Sequence, residues 1–370
     1  MNNNMKILHF SWDTPIPGIG GSTHEWNMAK AFKKLGHKVR LVCEWEYDKK
    51  ISEDLEGIQI RRVHWRTGFR QINPLILCVK AKLNALYHII FFSPNIIYER
   101  YRIMGGFGVL IGKLFGKKTI LEVNDPTIEA PYIEGRIGLF TKIIAGIWER
   151  LIFACSDKII THNEVMAGRA NQKKVRIITN GVDTKIFNPE KYARTKWADK
   201  FVCLFIGTFA EWQGTETILK AAELLRKNKK ILFAFAGSKE DNEENTEYLG
   251  RIKYSEIPQL IANSDVCLYT PDTEHYKPMK KLGFYFSPLK LFEYMSMAKP
   301  VIVSDAGNLK KIVKNEVNGY RIGENNGAEL ASKILKLYRN KKLRTRIGKN
   351  NREECEKKYS WTKIAKKVLK

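Results

Sequence analysis

A chain of 370 residues with 44% hydrophobic side chains and eight tryptophans has the means to fold, and it is too long for one comfortable core, so two domains are expected. Six cysteines without a Cys-x-x-Cys pair, and no metal-ligand spacing, exclude a disulfide scaffold and a zinc ribbon and suit reduced thiols in the cytoplasm. The net charge of +25 calls for a polyanion nearby, either anionic lipid headgroups, an acidic glycan or nucleic acid.

In chain order, short apolar strands alternate with helices. Strands are expected at 6–10, 39–43, 58–63, 96–98, 119–122, 158–161 and 175–178, with a helix over about 22–35. Residues 180–200 are polar, carry Pro189 and read as a linker. The pattern restarts at 201–206. Strands follow at 231–236, 266–269 and 301–303, with helices around 215–227, 255–263 and 288–298 and a basic helical tail from 328. Such alternation means right-handed βαβ units and parallel sheets. The expected class is α/β, two doubly wound Rossmann-like domains facing each other across a cleft, with ligands at the carboxyl ends of the strands.

The most informative run is Ser287-Pro-Leu-Lys-Leu-Phe-Glu-Tyr-Met-Ser-Met-Ala-Lys-Pro-Val-Ile-Val-Ser-Asp305. Pro288 reads as the first helical residue, Leu289, Phe292, Met295 and Met297 as the apolar side, and Lys299-Pro300 as the stop. Free N–H groups and the positive dipole end favour a phosphate at such a start. Lys290 and Glu293 then suit a nucleotide sugar: the anion at the helix end, the ribose hydroxyls on the carboxylate.

This run, with Gly20-Gly21 after the first strand, Thr179-Asn-Gly-Val-Asp183 and Tyr359-Ser-Trp361, resembles the retaining glycosyltransferases of the GT-B fold, family 4 (group 1). The likeness covers nearly the whole chain. It implies an acceptor-binding domain over 1–188, a nucleotide-sugar-binding domain over 189–355 and a last helix, 356–370, packing back on the first. It implies a hexose-type sugar moved from a nucleotide diphosphate to a hydroxyl of a glycan or lipid-linked acceptor, with retention. Fixed dipoles and Lys290 can stabilise the leaving diphosphate without a metal or other cofactor. The donor site implied is Gly20, Gly21, Thr208, Gln213, Arg251, Ser287, Pro288, Leu289, Lys290 and Glu293. Lys290 and Asn124 are the catalytic candidates, and His24, Glu122 and Asp125 the acceptor candidates.

Three departures stand out. The family's diphosphate-clamping arginine and lysine are replaced by Thr208 and Gln213, which leaves Lys290 and the helix end to neutralise the phosphates; restoring lysine at 213 is expected to be tolerated. The first of two glutamates spaced by eight is Tyr285. A histidine near the end of a first-domain strand is Asn124, which hydrogen-bonds but carries no proton. Two rival readings stay open, an epimerase of the same fold and a non-catalytic glycan- or lipid-binding relative.

The charge is uneven. Residues 61–118 hold eleven basic residues against Glu99 alone. Trp65, Phe69, Ile72, Leu75, Ile76 and Leu77 lie among Arg61, Arg62, Arg66, Arg70, Lys80 and Lys82, the composition of an interfacial anchor on the inner face of a plasma membrane. That suits an acceptor of the cell envelope. No aromatic–basic module for nucleic acid is present.

Overall fold

The computed structural model describes residues 4–15, 21–46, 49–64, 73–237 and 244–370. They form two compact units, residues 1–179 with 361–370, and residues 180–360. The divisions fall at 179/180 and 360/361, beside the 188/189 and 355/356 read from sequence.

The first unit runs β1 (Lys6–Pro15), α1 (Gly21–Lys34), β2 (Lys38–Glu44), β3 (Ser52–Leu55), β4 (Ile58–Val63), α2 (Asn73–Phe92), β5 (Ile96–Arg100), α3 (Phe107–Leu114), β6 (Lys118–Val123), α4 (Glu129–Ile133), α5 (Leu139–Cys155), β7 (Lys158–Thr161), α6 (Glu164–Ala167) and β8 (Val175–Ile177). Its sheet order is β3-β4-β2-β1-β5-β6-β7-β8, parallel throughout except for the β3–β4 pair. The strand β1 sits in the middle, and its side chains alternate between two buried faces. Leu8, Phe10 and Trp12 join Ala81, Ala85 and Ile89 of α2, whereas His9 turns to Glu25 of α1. Gly36, at φ 90°, ends α1, and His37 N donates back to Phe32 O.

The second unit runs β9 (Phe201–Ile206), α7 (Thr215–Leu225), β10 (Ile231–Ala236), β11 (Thr246–Tyr248), α8 (Ile257–Ala262), β12 (Val266–Tyr269), α9 (Lys277–Leu282), α10 (Leu289–Ser296), β13 (Val301–Ser304), α11 (Leu309–Ile312), β14 (Gly319–Ile322), α12 (Gly327–Arg339) and α13 (Lys341–Glu354). All its strand pairs are parallel, in the order β11-β10-β9-β12-β13-β14. A π-helical turn over Cys355–Tyr359 follows, and α14 (Trp361–Leu369) then packs on α1 within the first unit. Trp361, Ile364, Ala365, Val368 and Leu369 are its buried side.

Two expectations change. Residues 180–200 are no loose linker. Phe187 is fully buried, and Arg352 donates to the carbonyls of Thr184 and Phe187. Polarity misled here because the segment's polar side chains are themselves tied down: Arg194 Nη1 donates to Asp265 and Trp197 Nε1 to Glu247. Pro288 is the N-cap of α10, with ψ 122°, and the helix proper starts at Leu289.

Candidate functional site

In the second unit the site grows from the turn after β9. A Cβ at Gly207 would stand 2.0 Å from Gln213 Oε1, and one at Gly214 1.8 Å from Thr270 O; at φ 60°, a side chain at Gly214 would also strain the backbone. Both glycines therefore let the turn close on its neighbours. The closure buries Gln213, whose Nε2 donates to Thr208 Oγ1 at 2.9 Å. Lys290, in the first turn of α10, donates from Nζ to Gln213 Oε1 at 2.6 Å. Its ammonium lies over the rings of Phe205 (5.1 Å) and Tyr269 (5.3 Å). Burial pulls the Lys290 pKa down to about 7, against the opposing pull of Glu293.

One turn along α10, buried Glu293 accepts from Tyr254 Oη at 2.9 Å, and burial pushes its carboxyl up to about 7. The approach to α10 is fixed by Asn180, whose N donates to Ser287 Oγ at 3.0 Å and whose Nδ2 donates to Ser287 O at 2.5 Å. Thr208, Gln213, Ser287, Pro288, Leu289, Lys290 and Glu293 thus come together at the carboxyl edge of the sheet. Arg251 stands exposed in the loop after β11. Sequence reasoning missed Tyr254 and the rings of Phe205 and Tyr269, for which no pattern gave a signal. It quoted Asn180 in its motif without seeing that Asn180 clamps Ser287.

In the first unit a second polar group gathers at the carboxyl ends of β1, β5, β6 and β7. Gly20 lies outside the described residues; Gly21 opens α1. His24 Nε2 is 2.7 Å from Glu122 Oε1, at the end of β6, and His162 Nε2 is 3.6 Å from the same oxygen. His162 Nδ1 meets Ile178 O at 2.6 Å, which fixes that ring. The Trp361 ring packs edge-on to His24 with centroids 5.1 Å apart. Glu25 pairs with His9 at 2.5 Å and with Arg100 at 3.6 Å.

Burial works to lower the His24 pKa, yet Glu122 holds it above the ordinary value; Glu122 itself, despite burial, is held at about 2 by His24. His162 is lowered by burial. His24, Glu122 and His162 offer one donor atom each within 4.8 Å of one another, a set that can hold a divalent metal, although the His24 ion pair already occupies one Glu122 oxygen. Asn124 and Asp125 follow β6 and are half-buried, with Asn124 Oδ1 itself buried. Of the acceptor candidates, Glu122 and His24 are therefore bound to each other beneath the surface, and Asp125 is the more accessible.

Residues 19–186 match the family model for Glycosyltransferase Family 4, and residues 188–354 the model for Glycosyl transferases group 1. The chain belongs to the group 1 glycosyltransferases. A glycosyltransferase of Methanocaldococcus jannaschii, itself uncharacterised, is 26% identical over 377 residues, spanning 99% of this chain and 97% of the relative. A glycosyltransferase structure from Rickettsia africae superposes with TM-score 0.72 at 17% identity, covering 99% of this chain and 97% of that one. Anabaena HepE, solved with UDP and glucose, gives 0.68 at 15% identity, covering 99% and 98%. The fold of this glycosyltransferase is thus of the GT-B type, and membership makes it a transferase.

Proposed function

We propose that this glycosyltransferase moves a hexose-type sugar from a nucleoside diphosphate to a hydroxyl of a glycan or lipid-linked acceptor, with retention and without a metal. One observation carries the reading: Lys290, the open start of α10 and Glu293 lie within two helical turns on one carboxyl edge. The open N–H groups and the ammonium would take the diphosphate. Negative charge developing on the leaving phosphate is then met by fixed donors. Glu293 would accept from the ribose hydroxyls, with Tyr254 orienting it. Pro288 and Leu289 would border the diphosphate, Ser287 would set the helix start, and Arg251 would stack beside the base. Thr208 and Gln213 would position Lys290 rather than supply charge. Asn124 would hydrogen-bond the transferred sugar. Asp125 would meet the acceptor, with His24 and Glu122 as the support beneath. The likeness to HepE, solved with UDP and glucose, favours a uridine nucleotide as the first donor to try.

The test is a panel of nucleotide sugars, read by mass spectrometry for nucleoside diphosphate release with and without glycan or lipid-linked acceptors. Release with transfer, an unchanged anomeric configuration by NMR and full activity in chelator are expected. No release from any sugar nucleotide, or activity lost in chelator, would overturn the corresponding part.

A further inference from the structure

Helices α2, α3 and α5 form one continuous layer on the first unit's sheet, α3 touching both others. Their inner sides are core: Ala81, Ala85 and Ile89 of α2, Val109 of α3, Ala145 and Ile152 of α5. Their outer sides are apolar as well. On α2, Val79, Leu83, Tyr87, Ile90 and Phe91 are exposed at helical spacing, Phe91 by 71%. On α5, Phe140, Ile143, Ile144, Ile147 and Leu151 form a second exposed stripe, Phe140 by 77%. Leu114 and Phe115 add to it at the end of α3. An apolar face of this extent on a soluble domain marks a contact surface.

The charges nearby select the partner. The three helices contain one carboxylate, Glu149, and it is buried against Arg169. Lys82, Lys118 and Arg150 are exposed on or beside the layer, and Lys142 rests over the Tyr132 ring. A second copy of the chain would bring cations against cations, in a protein already carrying +25. An anionic leaflet complements both the apolar stripe and the cations. Among the described residues no helix is long and apolar enough to cross a membrane, so this layer would lie along a surface.

We propose that the outer side of the α2–α3–α5 layer docks on an anionic lipid bilayer. The proposal is independent of which donor or acceptor the enzyme uses. It differs from the anchor read from residues 61–82. There Trp65, Phe69, Ile72, Arg66 and Arg70 lie outside the described residues, as do the side chains of Leu75, Ile76 and Leu77.

The full chain is sedimented with vesicles of phosphatidylcholine alone and of phosphatidylcholine mixed with phosphatidylglycerol. Binding to the mixed vesicles only is expected. Replacing Phe140, Ile147 and Leu151 with serine should weaken it about tenfold or more, and Lys142→Ser with Arg150→Ser should weaken it several-fold and flatten its salt dependence. Nucleoside diphosphate release into water should be unchanged in both variants. As a second measurement, bimane on Phe140→Cys, corrected for labelled wild type, should shift to the blue with mixed vesicles. No binding to mixed vesicles at low salt, or no fluorophore shift, overturns the proposal. So does a dimer in lipid-free solution that the serine variant converts to monomer.

Discussion

His24 and Glu122 form an ion pair of 2.7 Å with neither side chain open to solvent. The pair joins the first turn of α1 to the end of β6, so it ties two distant stretches of sequence at the polar edge of the sheet. A buried pair of this kind costs little while intact and much when halved. Glu122→Gln should lower unfolding free energy by roughly 3–5 kcal/mol at neutral pH and drop the His24 pKa below 6.5. Urea melts and histidine NMR titration check both. The pH dependence has two edges. The His24 pKa is raised on folding, so its contribution is lost as pH rises through that value. The Glu122 pKa is depressed, so its contribution is lost as pH falls from 4.5 towards 2.

Lys290 should take up a proton when a nucleoside diphosphate binds. Its pKa of about 7 reflects burial without a full counter-charge, and the diphosphate supplies one. Calorimetric titration at pH 8 in buffers of different ionisation enthalpy should report net uptake in the wild type and none in Lys290→Met. Equal heats across buffers for the wild type would refute a diphosphate at Lys290.

Gln213→Lys installs the lysine that the family resemblance leads one to expect at this position, and the geometry argues against the expectation that it is harmless. Gln213 Oε1 is the acceptor for Lys290 in a buried position. A lysine there loses that acceptor and sets two cations together. Thermal melts should show a loss of about 1–3 kcal/mol without ligand, recovered in part by nucleoside diphosphate. Lys290→Ala should still slow transfer more than Gln213→Ala.

Tyr254→Phe should act on donor affinity through Glu293. Removing the hydroxyl leaves the carboxyl still easier to protonate, since Tyr254 is the main group holding its pKa down. Near pH 7 the donor KM should rise several-fold, and the deficit should shrink towards pH 9, where Glu293 is ionised in both proteins. A pH-independent deficit would assign Tyr254 a packing role only.

Glu293→Gln separates affinity from stability. Donor affinity should fall by roughly 1.5–3 kcal/mol, the worth of charge-assisted bonds to two hydroxyls. Stability should move the other way at higher pH. The Glu293 pKa is raised on folding, so the wild type loses stability as pH rises from 4.5 to about 7, and the glutamine variant lacks that loss. Melting curves at pH 5 and pH 8 test the sign.

Most of the parallel strands were legible because each is a bounded apolar run, and β9, β10, β12 and β13 sit within a residue of their expected limits; β11, Thr-Glu-Tyr, and β14, Gly-Tyr-Arg-Ile, lack such a run and went unread. The edge strand β3, Ser-Glu-Asp-Leu, was not, since an exposed edge demands no apolar alternation. Helices α2 and α5 escaped too, because apolar residues on both sides blur the 3.6-residue period that marks a helix facing water. In the site, Lys290 and Glu293 were legible from local spacing along one helix. Gln213 beneath Lys290 and Tyr254 beside Glu293 were not as partners, since those contacts join segments 77 and 39 residues apart.

The last helix, α14, completes the surface begun by α1, and Lys158 in β7 donates to its Val368 carbonyl. The first unit therefore draws on residues both before and after the second unit in chain order. During synthesis that unit waits, with the flank of α1 uncovered, until the whole second unit has left the ribosome. Nascent chains stalled before residue 361 would present that flank to chaperones.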